Sequence, residues 1–201
     1  MADPKYSGSA YWNPLPDIDS SAGTEIPGGP PDWAGRLPEP SDYLCGKWEE
    51  RNWRNVPGPI YGAMTDTCWV GRIYAPDHVS YEADSGQEFL YRQPRNRHDV
   101  LQVLFGAWND PLQGWACDGN QHWTPELVRH WWRDRSRVLE WIAHDLKDWA
   151  ESPNEQERDA AAGLVAYADY IGGALETHLR EYLFWLTEGR MRLSEQGLPP
   201  L

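Results

Sequence analysis

The sequence predicts an α+β fold, with a small antiparallel sheet packed on a long C-terminal α-helical hairpin and a Pro-rich N-terminal arm. Three observations lead to it. Ten of the 17 prolines lie in the first 59 residues, β-branched and aromatic residues dominate a middle stretch, and apolar residues then recur at helical spacing. The expected organisation is a Pro/Gly-rich arm over residues 1–40, a single α+β domain over 41–190 and a C-terminal tail over 191–201.

The amino-acid composition separates this chain from several classes of protein. It has only 35 Leu, Val, Ile and Phe residues among 201 and a net charge of −13, a combination typical of disordered chains. The 13 Trp and 10 Tyr supply large rings instead, so we expect a folded, aromatic-rich domain. The composition excludes a collagen, a coiled coil and a disulfide scaffold. The acidic balance disfavours binding to nucleic acid or to an anionic membrane.

The cysteines and the N-terminus bear on cofactors and location. Cys45, Cys68 and Cys117 are widely spaced and form no C-x-x-C motif, so we expect no structural zinc, no iron–sulfur cluster and no other cofactor. An odd number of cysteines separated by long gaps suits the reducing cytosol. No apolar run approaches about 18 residues, and Met1–Ala10 lacks the apolar region of a signal peptide. We therefore expect a cytoplasmic protein without a membrane span.

The two ends of the chain carry different expectations. Consecutive prolines and glycines preclude long helices in the N-terminal arm. Tyr11, Trp12, Trp33 and Tyr43 are too apolar for a pure linker, so part of the arm is expected to lie on the domain surface through these rings. The alternative is a disordered tail. The C-terminal tail from residue 190 ends in a Pro-Pro-Leu sequence and is expected to be frayed.

The middle of the chain has the pattern of strands. Thr67–Tyr74 is rich in β-branched and aromatic residues, which predicts a strand. Val79–Ala83 and Gln87–Gln93 flank Asp84-Ser85-Gly86, and this spacing predicts a hairpin with a left-handed glycine in its turn. Aromatic residues alternate with others in the second arm of that hairpin. One of its faces is therefore expected to be aromatic and the other mixed.

Three helices are predicted after the sheet. The first covers residues 97–108, where apolar residues recur at helical spacing. The second begins after the N-cap Thr124 and reaches about Trp149. The third starts at the capping box Ser152–Glu155, and Gly172-Gly173 bends it or allows a close helix crossing. The short link between the second and third helices predicts an antiparallel hairpin.

The loop-to-strand junction at Tyr61–Cys68 is the first candidate site. It combines a carboxylate, two hydroxyls and a thiol, and loops on a rigid support commonly expose functional groups. Cys68 would act as a nucleophile if a base such as His78, His98 or His122 lay beside it. The alternative is structural, with Asp66 capping a turn and Cys68 buried as a small hydrophobe.

The Gly- and Trp-rich loop at residues 111–123 is the second candidate site. Cys117, Asp118 and His122 lack the second half of a recognised metal-ligand pattern, so no metal is expected there. Trp115 and Trp123 flank this loop. They would anchor a partner if exposed and would plug the core if buried.

Charged residues on the predicted helices provide two further candidates. Arg129 and Arg133 share one helix face that Arg137 continues, and this stripe would hold an anionic group or form a solvated face with internal ion pairs. Acidic residues around the start of the third helix either stabilise the helix dipole or dock a basic protein. The complete set of candidate binding residues is Tyr61, Asp66, Cys68, Trp69, Arg92, Trp115, Asp118, His122, Trp123, Arg129 and Arg133.

Short catalytic motifs are missing from the sequence, and two resemblances are present. There is no P-loop, no G-x-G-x-x-G, no G-x-S-x-G and no H-E-x-x-H. The segments Pro57–Cys68 and Gly86–Pro94, together with His122–Pro125, resemble an uncharacterised actinobacterial protein group. In size, acidity and Trp content the chain is similar to bacterial toxin-immunity proteins. This second resemblance implies a module that neutralises a toxin by binding it.

These observations favour a non-enzymatic protein-binding module of the immunity type. Trp115 and Trp123 would anchor a basic toxin or a complex subunit, and acidic residues would steer it. A second hypothesis is a small-molecule-binding protein, or an enzyme without a recognised motif, that uses the Tyr61–Cys68 and Cys117–Trp123 loops. It predicts a concave pocket that joins Asp66 and Asp118 with some of Arg92, His98 and His122. A third is a structural or assembly protein, either a homo-oligomer or a subunit of a larger particle, with the Pro-rich arm lying on a neighbour.

Overall fold

The computed structural model describes residues 11–26, 35–66, 68–82, 85–193 and 195–201. These residues form α-helices and two short antiparallel sheets, which confirms the α+β class. The chain divides into two compact units. We call Asn13–Gly119 the N-terminal unit, and Asn120–Leu201 together with Tyr11 and Trp12 the C-terminal unit. In the described part of the chain, no helix is long and apolar enough to cross a membrane.

The N-terminal unit begins with a short helix inside the predicted arm. This helix, α1, covers Leu15–Asp19 and follows a proline that fixes its first turn. Ile18 on α1 is fully buried, and Leu37 is nearly so. Aliphatic side chains attach these residues to the unit. Of the rings that were expected to do so, Tyr43 is buried, and Tyr11 packs against two aromatic rings near the C-terminal end of the chain, within the C-terminal unit. Trp33, one of the rings expected to do so, lies outside the described residues.

The predicted hairpin is confirmed. Strand β2 covers Val79–Tyr81 and pairs antiparallel with β3, Glu88–Leu90, so that Val79 lies opposite Leu90. Gly86 in the connection has a φ of 69°, the left-handed conformation that its position predicted. All three residues of β3 are fully buried, so both of its faces are covered. Asp84 and Ala83 lie outside the described residues.

A second two-stranded sheet joins two distant segments of the same unit. Strand β1, Tyr61–Gly62, pairs antiparallel with β4, Trp115–Ala116, so that Gly62 lies opposite Trp115. We expected only a loop at residues 111–123. The strand was not predicted because a two-residue strand has no measurable periodicity.

The strand predicted at Thr67–Tyr74 is wrong. Gly71–Tyr74 forms a short helix, and Cys68 and Trp69 before it have φ angles of 53° and 68°. Two successive left-handed residues turn the backbone, so the segment cannot extend as a strand. The aromatic residues that suggested a strand pack locally instead: the ring centroid of Trp69 lies 4.7 Å from that of Tyr81. Thr67 lies outside the described residues. We number this helix α2.

The helix predicted at residues 97–108 is confirmed as α3, Arg97–Trp108. Asn96 caps it by accepting a hydrogen bond from the backbone N–H of Asp99. Most of its apolar stripe is buried, but Leu101 is only partly buried and Trp108 at its C-terminal end is 39% exposed. α3 packs against α2, where Gly106 and Gly71 allow the two backbones to meet closely.

The C-terminal unit contains four helices in its described residues. These are α4 at Pro125–Arg133, α5 at Arg135–Ala150, α6 at Glu155–Gly172 and α7 at Leu175–Glu188. The predicted N-cap is confirmed, since the Thr124 hydroxyl accepts a hydrogen bond from the N–H of Leu127. α5 and α6 pack together as the predicted hairpin, joined by four residues.

Each of the last two predicted helices is in fact two helices. The second breaks at Asp134, where the guanidinium of Arg135 stacks on the Trp132 ring and donates to the Trp132 carbonyl. At the break, the Arg135 side chain thus supplies a hydrogen-bond donor to a backbone carbonyl of the helix. The third ends at Gly172, because Gly173 adopts a φ of −125° and a ψ of −104°, outside the helical region. Its N-cap is Asn154 rather than Ser152.

Candidate functional site

A buried carboxylate holds two loops of the N-terminal unit side by side. Oδ1 of Asp110 accepts hydrogen bonds from the backbone N–H groups of Asp66, at 2.9 Å, and Leu112, at 3.1 Å. Its Oδ2 accepts from the N–H of Gly114 at 2.7 Å. Asp110 is only 3% exposed, so these three donors replace the water it would otherwise bind. Asp110 is not among the residues that the sequence singles out, because its three donors are recognisable only in the folded chain.

Gly114 lets the same two loops approach at backbone distance. The N–H of Ala63 donates to the Gly114 carbonyl at 2.8 Å. A Cβ atom on Gly114 would overlap the carbonyl oxygen of Met64 and lie 2.9 Å from the N–H nitrogen of Thr65. Only glycine fits at this position. The loops at residues 63–66 and 110–114 therefore form one rigid support.

This support carries exposed apolar side chains. Met64 is 50% exposed and Leu112 is 59% exposed. Trp108, at the end of α3, precedes Asp110 by two residues, is 39% exposed and makes an edge-to-face contact with Tyr43, with 5.7 Å between the ring centroids. We call Met64, Trp108 and Leu112 the apolar patch. Several apolar side chains exposed on a pinned support are typical of an interaction surface.

The structure supports the turn-capping alternative for Asp66 and opposes burial of Cys68. The Asp66 carboxylate accepts from the N–H of Cys68 at 3.1 Å, as a side chain does when it caps a turn. The Cys68 side chain is exposed, so it is not the small buried hydrophobe that we considered. Trp69 is half-buried against Tyr81.

Tyr61 and Asp118 are brought together. The Tyr61 hydroxyl donates to Oδ1 of Asp118 at 2.7 Å, although 57 residues separate them in the sequence. Burial raises the pKa of Tyr61, and the neighbouring Asp118 carboxylate raises it further. This pair joins the ends of two candidate loops through a buried phenol. Asp66 is held elsewhere, by Asp110.

Cys117 is chemically quiet at neutral pH. Burial raises the pKa of its thiol to about 11, and the Asp118 and Asp19 carboxylates add to the rise. A protonated thiol is a poor nucleophile and a poor metal ligand. Within the described ranges, no group of three or more His, Cys, Asp and Glu side chains is placed to hold a metal ion.

The two loop tryptophans belong to the core. Trp115 lies in β4 and is fully buried, and Trp123 is 7% exposed. Their rings are covered, so they fit the alternative in which they plug the core. The anchor role that we gave them would require exposed rings.

The remaining candidates of the N-terminal unit support its packing. The guanidinium of Arg92 lies 5.7 Å from the centre of the Tyr91 ring, and its carbonyl oxygen is 2.9 Å from Nδ1 of His78. Burial lowers the pKa of His78, whose Nε2 lies 3.8 Å from the Asp99 carboxylate.

The candidates of the C-terminal unit lie on and before α4. His122 is half-buried and precedes Trp123. Arg129 donates from Nε to the carbonyl of Pro200 at 3.1 Å, whereas Arg133, one turn later, is exposed. The break at Asp134 places Arg137 on α5, so the basic stripe does not run along one helix as expected.

The chain was compared with protein families, curated proteins and solved structures. No protein-family model, no curated protein and no solved structure matches this chain. The function is therefore inferred from the chain's own residues.

Proposed function

We propose that this chain is a non-enzymatic protein-binding module whose apolar patch docks on a basic protein. The observation that carries the proposal is the exposure of Met64 and Leu112 on the loops that Asp110 and Gly114 hold together, and of Trp108 at the end of α3. A rigid apolar surface loses little conformational entropy when a partner covers it, so its buried area contributes efficiently to affinity. The anchors are thus Met64, Trp108 and Leu112 instead of the buried Trp115 and Trp123.

The charge of the N-terminal unit indicates the sign of the partner. Residues 13–119 contain 16 Asp and Glu against 8 Lys and Arg. Asp66 is exposed and lies in the loop that carries Met64. Asp42 is also exposed, and its backbone carbonyl accepts a hydrogen bond from the side chain of Gln113, the residue after Leu112. An acidic surround around apolar anchors attracts a basic partner and speeds its association.

The finer proposal is that the partner is a basic toxin, which the chain neutralises by covering its active surface. This proposal rests on the resemblance in size, acidity and Trp content to toxin-immunity proteins. Occlusion needs no catalytic group on this chain, in accordance with the protonated Cys117 and the capping role of Asp66.

The test is site-specific photo-crosslinking in the cells that produce the protein. A photoreactive residue replaces Leu112 in one variant and Val165 in the control, since Val165 is similarly exposed but lies on α6. We expect a covalent adduct with one basic protein from position 112 and none from position 165. Replacing Leu112 with Arg should weaken binding to that protein at least about tenfold, by removing an anchor and opposing its charge.

The outcomes separate the coarse and fine proposals. An adduct between two copies of this chain, an acidic partner, or equal adducts from both positions would each overturn the coarse proposal. If a basic partner is captured, it should arrest growth when expressed alone, and co-expression of this chain should restore growth. A captured basic protein that is harmless would retain the binding module and remove the immunity role.

A further inference from the structure

The C-terminal tail, which we expected to be frayed, is docked by two arginines of the C-terminal unit. Arg180 on α7 donates from Nε to the Pro199 carbonyl at 2.9 Å and from Nη2 to the Leu198 carbonyl at 3.1 Å. Arg129 on α4 donates to the next carbonyl, that of Pro200. Three successive backbone carbonyls are therefore held by guanidinium groups from two packed helices.

All three arginine hydrogen bonds are made to backbone carbonyls of the tail and none to its side chains. Pro199 and Pro200 have no N–H group, so their carbonyls are the only backbone groups that they offer. A residue that precedes proline favours the extended conformation, which applies to Leu198 and Pro199. An extended, proline-containing strand with outward carbonyls is the form in which polyproline segments are recognised.

The tail does not fill the space in which it lies. A cavity of about 340 Å³ lies between the C-terminal end of α7 and the tail. Phe184, Thr187 and Glu188 line it from α7, and Gly197, Leu198 and Pro199 line it from the tail. The surface thus has room for a side chain that the tail itself does not supply.

A short connection returns the tail to α7. Gly189 ends the helix with a left-handed φ of 65°. Arg192 donates from Nη1 to the Gln196 carbonyl at 2.7 Å, and the N–H of Gln196 donates to the Leu193 carbonyl. Such a short link gives the tail an effective concentration of the order of millimolar beside its own site. Weak contacts are therefore sufficient to keep it docked.

We propose that this surface, the tail groove of Arg129, Arg180, Phe184 and Thr187, is a binding site for an extended segment of a protein partner that contains consecutive prolines. The chain's own Leu198–Pro200 occupies the groove until such a segment displaces it. The partner segment would present three successive carbonyls of its own to Arg129 and Arg180 and place a larger apolar side chain beside Phe184 and Thr187. This site is independent of the apolar patch and does not rest on the function proposed above.

The experiment uses a fluorescent peptide with the sequence of residues 196–201, Gln-Gly-Leu-Pro-Pro-Leu, and measures its anisotropy. The chain lacking Leu198–Leu201 should bind the peptide at least about tenfold more tightly than the full chain, since no tail competes. Arg180→Ala in the shortened chain should abolish most of this binding. Arg133→Ala is the matched control, because Arg133 is exposed on α4 and should leave the affinity unchanged. Equal affinity for a peptide with both prolines replaced by alanine would overturn the proposal.

A measurement on the full chain covers the case in which the shortened chain does not fold. An excess of unlabelled peptide is added to the isotope-labelled full chain, and the amide signals are followed by NMR. The signals of Leu183 and Phe184 should shift, and those of Gly197 and Leu201 should move to the positions expected of an unbound segment. No shift at these positions at millimolar peptide would contradict the proposal, because a displaceable tail must exchange with the added segment.

Discussion

The two units of this molecule are ordered by different kinds of hydrogen bond. The described residues of the C-terminal unit lie largely in α4–α7, whose backbone bonds are local. The strands of the N-terminal unit have only two or three residues. Side chains there form hydrogen bonds to the backbone in place of those that longer strands would form with one another. The C-terminal unit is therefore ordered by the regular hydrogen bonds of its helices, and the N-terminal unit by a few polar side chains that bind the backbone at particular positions.

Asn55 illustrates how the N-terminal unit is held. Its Oδ1 accepts from the N–H groups of Gly62 and Leu90, at 3.0 Å and 2.8 Å. Its Nδ2 donates to the carbonyls of Asn52 and Gly62. Gln93 binds the Val56–Ile60 loop in the same manner, donating to both end carbonyls and accepting from the N–H of Ile60. Single substitutions should therefore be far more damaging in this unit than in the helices.

A pair of glycine substitutions gives the largest contrast. Gly114→Ala should destabilise the protein by about 4 kcal/mol or more, because the new Cβ overlaps the Met64 carbonyl in backbone that cannot move aside. Gly172→Ala at the end of α6, where a Cβ meets nothing within 4 Å, should stay within about 1 kcal/mol of the parent and on the stabilising side. Denaturant unfolding followed by circular dichroism measures both. A near-parental Gly114→Ala would show that the two loops are not packed at backbone distance.

A substitution at the buried carboxylate of Asp110 tests the same contrast with a smaller expected loss of stability. Asp110→Ala leaves three backbone N–H groups without their acceptor and should lower the free energy of unfolding by about 3 kcal/mol. Asp110→Asn keeps one acceptor oxygen and should lose less. The control is Asp134→Ala in the C-terminal unit, where the side chain is 62% exposed, with an expected change within about 0.5 kcal/mol. Similar losses at both positions would remove the distinction between the units.

The helices could be predicted from the sequence because their signals lie within a few residues. The N-cap Thr124 and the apolar spacing of α3 are local features, and both are confirmed. The break at Asp134 was not predictable in the same way. It depends on the guanidinium of Arg135 reaching the carbonyl and the ring of Trp132, a geometry that no spacing rule encodes.

The N-terminal unit and its candidate site were less predictable because their partners are distant in sequence. Asp110 lies 44 residues from Asp66, and Asn55 lies 35 residues from Leu90. The hairpin was predicted, since its turn residues adjoin its strands, whereas the strand at Thr67–Tyr74 was wrong. Trp content indicated a binding surface but not which rings are exposed. Exposure at Met64 and Leu112 depends on the tertiary support beneath them.

The smallest expected effect concerns a titrating group in the N-terminal unit. Burial lowers the pKa of His78 below its usual value near 6.5, so the folded protein keeps this ring neutral while the unfolded chain takes up a proton. Its native contribution is therefore complete above about pH 6.5 and is lost as the pH falls through and below that value. The Asp99 and Asp77 carboxylates and the carbonyl of Arg92 oppose this shift without cancelling it, and the charge of Arg92 adds to it.

The measurement is the difference in unfolding free energy between the parent and His78→Gln at several pH values. The parent should lose stability relative to the variant as the pH falls from about 8 to about 5, because only the parent has this proton to take up on unfolding. His144→Gln is the control, since that ring lies exposed on α5 and remains in water in both states. A pH slope equal for His78→Gln and the parent would mean that the His78 ring is hydrated in the folded protein. The hairpin would then meet the start of α3 across water, and the N-terminal unit would be looser at this junction than at the loops held by Asp110.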